Sequence, residues 1–120
     1  MTAHMPNGTH VITDIRSLHL NDENDLSVIL IDECERGGAT VVDKLIHSFQ
    51  PQGKTVVVIL EESHAIITTY PEHDIAMIDV FTCGDKIQPK RIADAIVNRL
   101  SGEIISESEI HRGSNDPIRS

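Results

Sequence analysis

The distribution of apolar and polar residues along the chain predicts mostly strands. Apolar side chains alternate with polar ones or run together in five stretches that are typical of strands, which favour β-branched residues and a period of two. We expect these strands at residues 9–16, 39–48, 54–62, 75–81 and 102–110. The stretch KTVVVILEE is too apolar for a sheet edge and is expected to be an internal strand. A further apolar run, AIITTY, occupies residues 65–70.

Two other stretches have the spacing of amphipathic helices, in which apolar residues recur every three or four positions. The first is expected from about 22 to 36, where the polar cluster NDEND supplies an N-cap and a Gly-Gly pair ends the helix in a left-handed cap. The second is expected at 88–100. The inward positions are Leu26, Ile29, Leu30 and Cys34 in the first helix and Ile92, Ala95, Ile96 and Leu100 in the second.

The order β-α-β-β-β-α-β favours an α+β fold in a single domain spanning residues 1–120. We expect a two-layer sandwich in which a mainly antiparallel sheet carries both helices on one face. The other face is then uncovered. A second copy of the chain, packed sheet to sheet, is the simplest cover, so we expect a homodimer. The polar tail after residue 110 is expected to be loose.

The net charge of the chain limits the kinds of molecule that it is expected to bind. Ten Lys and Arg against nineteen Asp and Glu give a formal net charge of −9. This balance argues against nucleic acid, which requires a basic surface, and suits a cationic small molecule better. Aromatic residues are scarce, since the chain has no Trp, one Tyr and two Phe, so the core is expected to be mostly Ile, Val and Leu.

The two cysteines, Cys34 and Cys83, lie far apart in the chain and lack the Cys and His spacing of a metal site. We expect reduced thiols in a cytoplasmic protein and no bound metal. The first ten residues lack the pattern of an export signal, and no apolar stretch is long enough to span a membrane. A Gly-rich phosphate loop is also lacking.

The connection between residues 60 and 65 has an unusual composition. It places Glu61, Glu62, Ser63 and His64 between two apolar runs, where a hairpin would normally turn on glycine. A junction without glycine is a place where strain from both flanking strands can be held. Taken alone, the stretch also fits a polar hairpin with an irregular loop.

The same stretch resembles a known family. LEESH, followed by YPEHDIAMIDVFTCGD, is similar to the prokaryotic S-adenosylmethionine decarboxylases, with E-S-H, P-E and F-T-C-G at matching mutual spacing. The resemblance extends from about Gly38 to Asp85, with a looser match at HVITDI. It is carried by three linked motifs, since E-S-H alone would be a trivial match.

The resemblance implies a self-cleaving proenzyme with a pyruvoyl group made from Ser63. The Ser63 hydroxyl attacks the carbonyl carbon of Glu62, and elimination then divides the chain into a β chain, 1–62, and an α chain, 63–120. The resulting ketone forms a Schiff base with the amine of an amino acid substrate and accepts electrons as CO2 leaves. The implied product serves polyamine (spermidine) synthesis.

Four further roles follow from the resemblance. Cys83 returns a proton to the substrate, whereas without its F-T-C-G context it would be interpreted as a small buried residue, as Cys34 is. Phe49 and Tyr70 match family positions near the adenine and the sulfonium, and Glu72 is placed to hold ribose hydroxyls or to cap a turn. Phe81 is assigned to the core.

Two positions depart from the family in the cleavage machinery. Thr68 stands where the family has a histidine that assists cleavage, and threonine cannot act as a base near neutral pH. His64 and His73 are the nearby imidazoles. Thr55 replaces a family serine and keeps a hydroxyl.

Further departures leave two alternatives open. Tyr70 replaces a tryptophan, and HDIA replaces an aromatic segment, so one alternative is the same chemistry on L-ornithine or L-arginine. The other alternative is a non-processing pseudoenzyme that regulates a partner decarboxylase. We expect Ser63→Ala to abolish cleavage and activity, and Cys83→Ala to permit cleavage but impair turnover.

Overall fold

The computed structural model of the chain describes residues 6–21 and 25–114. Those residues form six strands, two α-helices and one short 3-10 turn at Pro71–His73. The strands are β1 (Asn7–Arg16), β2 (Val41–Ser48), β3 (Lys54–Leu60), β4 (Ser63–Tyr70), β5 (Ile75–Cys83) and β6 (Glu103–Gly113). The helices are α1 (Leu26–Arg36) and α2 (Pro89–Arg99).

All six strands belong to one sheet with the order β2-β3-β4-β5-β1-β6, and every neighbouring pair is antiparallel. The predicted α+β fold with an antiparallel sheet is confirmed, and β3 is internal as expected. The apolar run at 65–70 belongs to β4, so four strands lie between the helices rather than three. The count differs because β4 begins at Ser63, directly after a two-residue turn.

Both helices pack on one face of the sheet and cover a core that is almost entirely aliphatic. Alternate residues of the central strands point into it, including Val56, Val58, Ile67, Ile78 and Val80. The inward positions of α1 are buried as predicted, but α2 buries Ala93 in place of Ala95. Glu33 of α1 accepts hydrogen bonds from Arg36 at 3.1 Å and from Arg99 of α2 at 2.8 Å, which joins the two helices.

The ends of α1 differ slightly from the prediction. Its N-cap is Asp25, whose carboxylate accepts a hydrogen bond from the Ser27 amide at 2.9 Å, so the helix begins later than residue 22. Residues 22–24 lie outside the described part of the chain. At the other end the left-handed backbone belongs to Gly38, with φ 94°, whereas Gly37 keeps a helical φ of −77°.

The other face of the sheet, which we call the bare face, has no layer above it in the single chain. Its apolar residues are exposed or half-buried, and they include Leu45, Ile59, Met77 and Ile110 among the exposed side chains and Ile12, Val57 and Ile66 among the half-buried ones. Large exposed apolar areas usually mark an interaction surface.

Part of the segment that the sequence predicts to be a loose tail is a strand. Residues 111–113, expected to be part of a loose tail, continue β6 because they pair with residues 7–9 of β1. Ser114 is the last described residue, and residues 115–120 of the predicted tail lie outside the described part of the chain. Within the described ranges, neither helix has the length and apolarity needed to cross a bilayer.

Candidate functional site

The turn between β3 and β4 is made by Glu61 and Glu62 alone, since Leu60 already pairs with Ser63. Glu62 has a φ of 60°, a left-handed backbone that usually belongs to glycine. For a residue with a side chain this conformation costs about 1–2 kcal/mol. The strain expected at this junction is therefore present, and it lies on the residue before Ser63.

The peptide carbonyl of Glu62 has a thiol partner. Cys83 ends β5, the neighbour of β4, and its S–H donates to the carbonyl oxygen of Glu62 over 2.8 Å. The Ser63 hydroxyl donates to the carbonyl oxygen of Glu61 at 3.2 Å. The two strands thus bring Glu62, Ser63 and Cys83 together, as a cleavage site requires.

The electrostatic surroundings keep Cys83 protonated. Burial, followed by the negative charge of Glu62, raises the pKa of its thiol above the ordinary value. A thiol that stays protonated near neutral pH can donate both a hydrogen bond and a proton. The second cysteine, Cys34, is fully buried, and its pKa is raised to about 12 by burial and then by the charges of Glu33 and Glu35.

Cys83 also lines a groove of about 810 Å³ at this end of the bare face, which we call the Cys83 groove. Its described lining residues are Pro6, Asn7, Gly8, Glu62, Phe81, Cys83, Gly84, Arg112 and Gly113. Ser63 is not among them, so its hydroxyl points elsewhere in the uncut chain. The groove has room for part of a small molecule beside the Glu62 carbonyl.

Phe81 lies in the wall of this groove, and its assignment to the core is wrong. Its ring packs over the backbone of Gly8, where an added Cβ would come within 2.7 Å of the ring. His10 and His64 lie beside the ring with centroids 6.0 and 5.6 Å away. Its place on β5, two residues before Cys83 on the same face, was the sequence signal for this location.

Of the two imidazoles considered near the cleavage point, only His64 lies at this end of β4. Burial, followed by the nearby His10, lowers the pKa of His64, so its ring is neutral near pH 7. His10 in turn hydrogen-bonds Asp79 at 3.1 Å. His73 belongs to the 3-10 turn after the far end of β4.

The proposed substrate-contacting residues collect at that far end. A groove of about 570 Å³, here called the Tyr70 groove, is lined by Phe49, Gln50, Pro51, Gln52, Thr68, Thr69, Tyr70 and Glu72. The Thr55 and Thr68 hydroxyls face each other across β3 and β4 at 2.9 Å. All five predicted positions outside the cleavage point therefore lie together.

The two grooves are separated by the length of β4. Ser63 and Thr68 are five residues apart on one strand, which corresponds to about 17 Å at roughly 3.4 Å per residue. Within one chain, neither Thr55 nor Thr68 can reach the Glu62–Ser63 bond.

A comparison with protein families matches residues 9–113 to the model described as S-adenosylmethionine decarboxylase. A protein of Clostridium tetani named S-adenosylmethionine decarboxylase proenzyme is 38% identical over 109 residues, covering 88% of this chain and 86% of the relative. A protein of Bacillus cytotoxicus with the same name is 39% identical over 110 residues, covering 89% and 85%.

The chain belongs to the S-adenosylmethionine decarboxylase family. The family predicted from the E-S-H, P-E and F-T-C-G motifs is thereby confirmed. A solved structure agrees, since the adenosylmethionine decarboxylase of Aquifex aeolicus superimposes with a TM-score of 0.74 at 27% identity, covering 96% of this chain and 94% of that one.

Across residues 6–21 and 25–114, no group of three or more His, Cys, Asp or Glu side chains converges as a metal site would need.

Proposed function

We propose that this chain is the proenzyme of a pyruvoyl-dependent decarboxylase that acts on S-adenosylmethionine. The observation that carries the proposal is the contact between the Cys83 thiol and the carbonyl oxygen of Glu62, at a residue held with φ 60°. A strained peptide whose carbonyl is polarised by a proton donor is prepared for attack at carbon. The residues present therefore fit the formation of a pyruvoyl group.

The proposed cleavage requires neither an oxidant nor a reductant. The Ser63 hydroxyl turns from Glu61 to the carbonyl carbon of Glu62, its oxygen forms the ester, and the amide C–N bond breaks with transfer of the proton to nitrogen. Loss of the Ser63 Cα proton then breaks the Cβ–O bond and releases Glu62 as a carboxylate. Water finally replaces the nitrogen, which leaves as ammonia, and a pyruvoyl group remains at position 63.

Decarboxylation of the substrate would then depend on the side chains around the Cys83 groove. When present, the pyruvoyl group supplies a ketone that takes up the substrate amine and accepts the electrons left by CO2. Cys83 holds the proton that the substrate Cα needs afterwards, because its raised pKa keeps it a thiol. The hydrogen bond from Cys83 to the Glu62 carbonyl supports this role.

The choice of substrate is supported by the relatives and by the Tyr70 groove. Because relatives at 38–39% identity are named S-adenosylmethionine decarboxylase proenzymes, we do not retain L-ornithine or L-arginine. Phe49 and Tyr70 offer ring faces to a sulfonium or an adenine, each contact contributing about 0.5–2 kcal/mol. Glu72 in the same groove offers a carboxylate to ribose hydroxyls.

Substitutions of the Tyr70 side chain test whether the Tyr70 groove binds the substrate. We expect Tyr70→Ala to raise KM for S-adenosylmethionine about tenfold and Tyr70→Phe to leave it nearly unchanged, since the ring face is retained. Steady-state CO2 release measures both. Equal KM values for Tyr70→Ala and the parent enzyme would remove this residue from the binding site.

A homodimer accounts for the distance between the two grooves. If two copies pack bare face to bare face about a twofold axis that runs across the strands, the Thr55 and Thr68 end of one chain is brought toward the Ser63 end of the other. The exposed apolar side chains of that face support such an interface. Each site would then be built from both copies.

The dimer can be tested by one substitution on the bare face and one control substitution on helix α1. Ile66 lies half-buried on the bare face, and Ile66→Asp should give a monomer because a carboxylate would be buried between the sheets. Val28 is 46% exposed on α1, so Val28→Asp is the matched control and should stay dimeric. Sedimentation velocity distinguishes the two. A parent chain that is already monomeric would contradict the dimer.

The reaction is tested by the mass of the matured protein. Two fragments that divide between Glu62 and Ser63, with the second carrying a blocked N-terminus, are expected, together with CO2 release from S-adenosylmethionine. A chain that stays uncut after prolonged incubation would contradict the proposal and favour a regulatory, non-processing role. We place the enzyme in the cytoplasm, in keeping with the two free thiols.

A further inference from the structure

We propose that Arg112 binds the α-carboxylate of the substrate in the Cys83 groove. This inference rests on the proposed function, since it concerns how an amino acid is oriented beside position 63. It is carried by the place of the guanidinium in the groove that also contains Glu62 and Cys83.

The fold holds Arg112 at this place from two sides. The residue lies on β6 opposite Gly8 of β1, which has no side chain to fill the space above the strand. The guanidinium carbon lies 5.3 Å from the centre of the Phe81 ring. A cation over a ring face is oriented without its hydrogen-bond donors being used, so they remain available to a ligand.

The positive charge of Arg112 is available to pair with a ligand carboxylate. Among the described residues lining the groove it is the single cation, and within the described ranges it forms neither an ion pair nor a side-chain hydrogen bond. The other ionisable groups of the lining are Glu62 and the Cys83 thiol, and the chain has a net charge of −9. An α-carboxylate entering this acidic protein therefore needs a counter-ion, and the arginine fork matches a carboxylate with two parallel hydrogen bonds.

The chemistry predicts which kinetic constant depends on Arg112. Decarboxylation converts the charged carboxylate into neutral CO2, so attraction to the guanidinium weakens as the bond breaks. Arg112 should therefore favour capture of the substrate and contribute nothing to the breaking of the bond. Its loss should raise KM while kcat is unchanged or slightly higher.

S-adenosylmethionine and its decarboxylated product differ only in the α-carboxylate. Comparing how the two bind therefore isolates the contact proposed for Arg112. In fully cleaved enzyme, Arg112→Gln should raise KM for S-adenosylmethionine about 10- to 100-fold, as expected for a lost charged hydrogen bond. The inhibition constant of the decarboxylated product should change less than twofold. Arg112→Lys should recover part of the lost KM, and Arg91→Gln, an exposed arginine on α2, should leave both constants unchanged.

Several results would overturn the inference. An equal loss of affinity for substrate and product would give Arg112 a merely structural role, and an unchanged KM would remove it from the site. If Arg112→Gln is not cleaved, calorimetric binding of both ligands to Ser63→Ala, with and without Arg112→Gln, must show the same selective loss; otherwise the inference fails. An uncut parent chain would instead contradict the proposed function, which keeps the two failures apart.

Discussion

The two ends of β4 differ in what they retain of the family pattern. Next to the Cys83 groove, Glu62, Ser63 and Cys83 match the predicted family motifs, and the Cys83 thiol donates to the Glu62 carbonyl while the Ser63 hydroxyl donates to the Glu61 carbonyl. At the Tyr70 groove, the family histidine and tryptophan are replaced by Thr68 and Tyr70. In the proposed mechanism, bond-breaking at the first end depends on the backbone geometry at Glu62. The proposed substrate recognition at the second end depends on contact surface, which several kinds of side chain can supply.

The largest effect should come from removing the nucleophile of the first end. Ser63→Ala has no hydroxyl to form the ester, so both cleavage and CO2 release are expected to vanish. Intact-protein mass and a CO2 assay measure the two. Ser48→Ala, at the exposed end of β2, is the control and should mature normally. Normal activity in Ser63→Ala would remove the pyruvoyl mechanism.

Cys83→Ala should have the next largest effect, and it should affect both reactions. Loss of the proton donor is expected to lower turnover by roughly 10²–10⁴-fold. Because the thiol also donates to the Glu62 carbonyl, cleavage should still occur, as expected from sequence, but more slowly by about tenfold.

Time courses of fragment formation measure the cleavage rate of Cys83→Ala. Cys34→Ala is the matched control, since that cysteine is buried in the core away from the turn, and it should cleave at the parental rate. If Cys83→Ala matures as fast as the parent, the hydrogen bond to Glu62 has no part in cleavage.

Thr68→His restores the imidazole of the family pattern at the Tyr70-groove end of β4, and so tests whether the two ends of β4 act together. If two copies share their sites, this substitution should accelerate cleavage about tenfold or more, because a positioned imidazole can move the protons that threonine cannot. Ser106→His places an imidazole elsewhere on the bare face and should not accelerate it. The effect should disappear in a monomeric Ile66→Asp background; acceleration in the monomer would argue against shared sites.

The smallest effect concerns the ionisation of Cys83, best measured in the uncut Ser63→Ala chain. Burial and then Glu62 raise the pKa of this thiol, so its alkylation by iodoacetamide should accelerate at a higher pH than that of an ordinary cysteine. Glu62→Gln should move the midpoint partway down, since burial remains.

Two controls accompany the alkylation measurement. Asp85→Asn, a nearby exposed acid, should not move the midpoint. Cys34 should stay unmodified throughout, since its pKa is about 12 and its side chain is buried. A midpoint for Cys83 below that of a free thiol would contradict the assigned environment.

Much of the fold follows from local pattern, whereas the site does not. Period-two stretches located the strands, and linked motifs identified Glu62, Ser63 and Cys83 as one unit. The spacing of residues along the chain did not reveal that Thr68 lies a strand length from Ser63, because that separation depends on β4 being a continuous strand. Sequence also misplaced Phe81, since apolar character alone cannot distinguish the two faces of a strand.

The sheet order has a consequence for the cleavage proposed between Glu62 and Ser63. That cleavage would leave β1, β2 and β3 in the first fragment and β4, β5 and β6 in the second, yet β1 lies between β5 and β6. The fragments are interleaved, so neither can depart without breaking ladders on both sides of β1. Separating them is therefore the same event as unfolding. Regaining the native state from the separated fragments becomes a bimolecular process that slows on dilution.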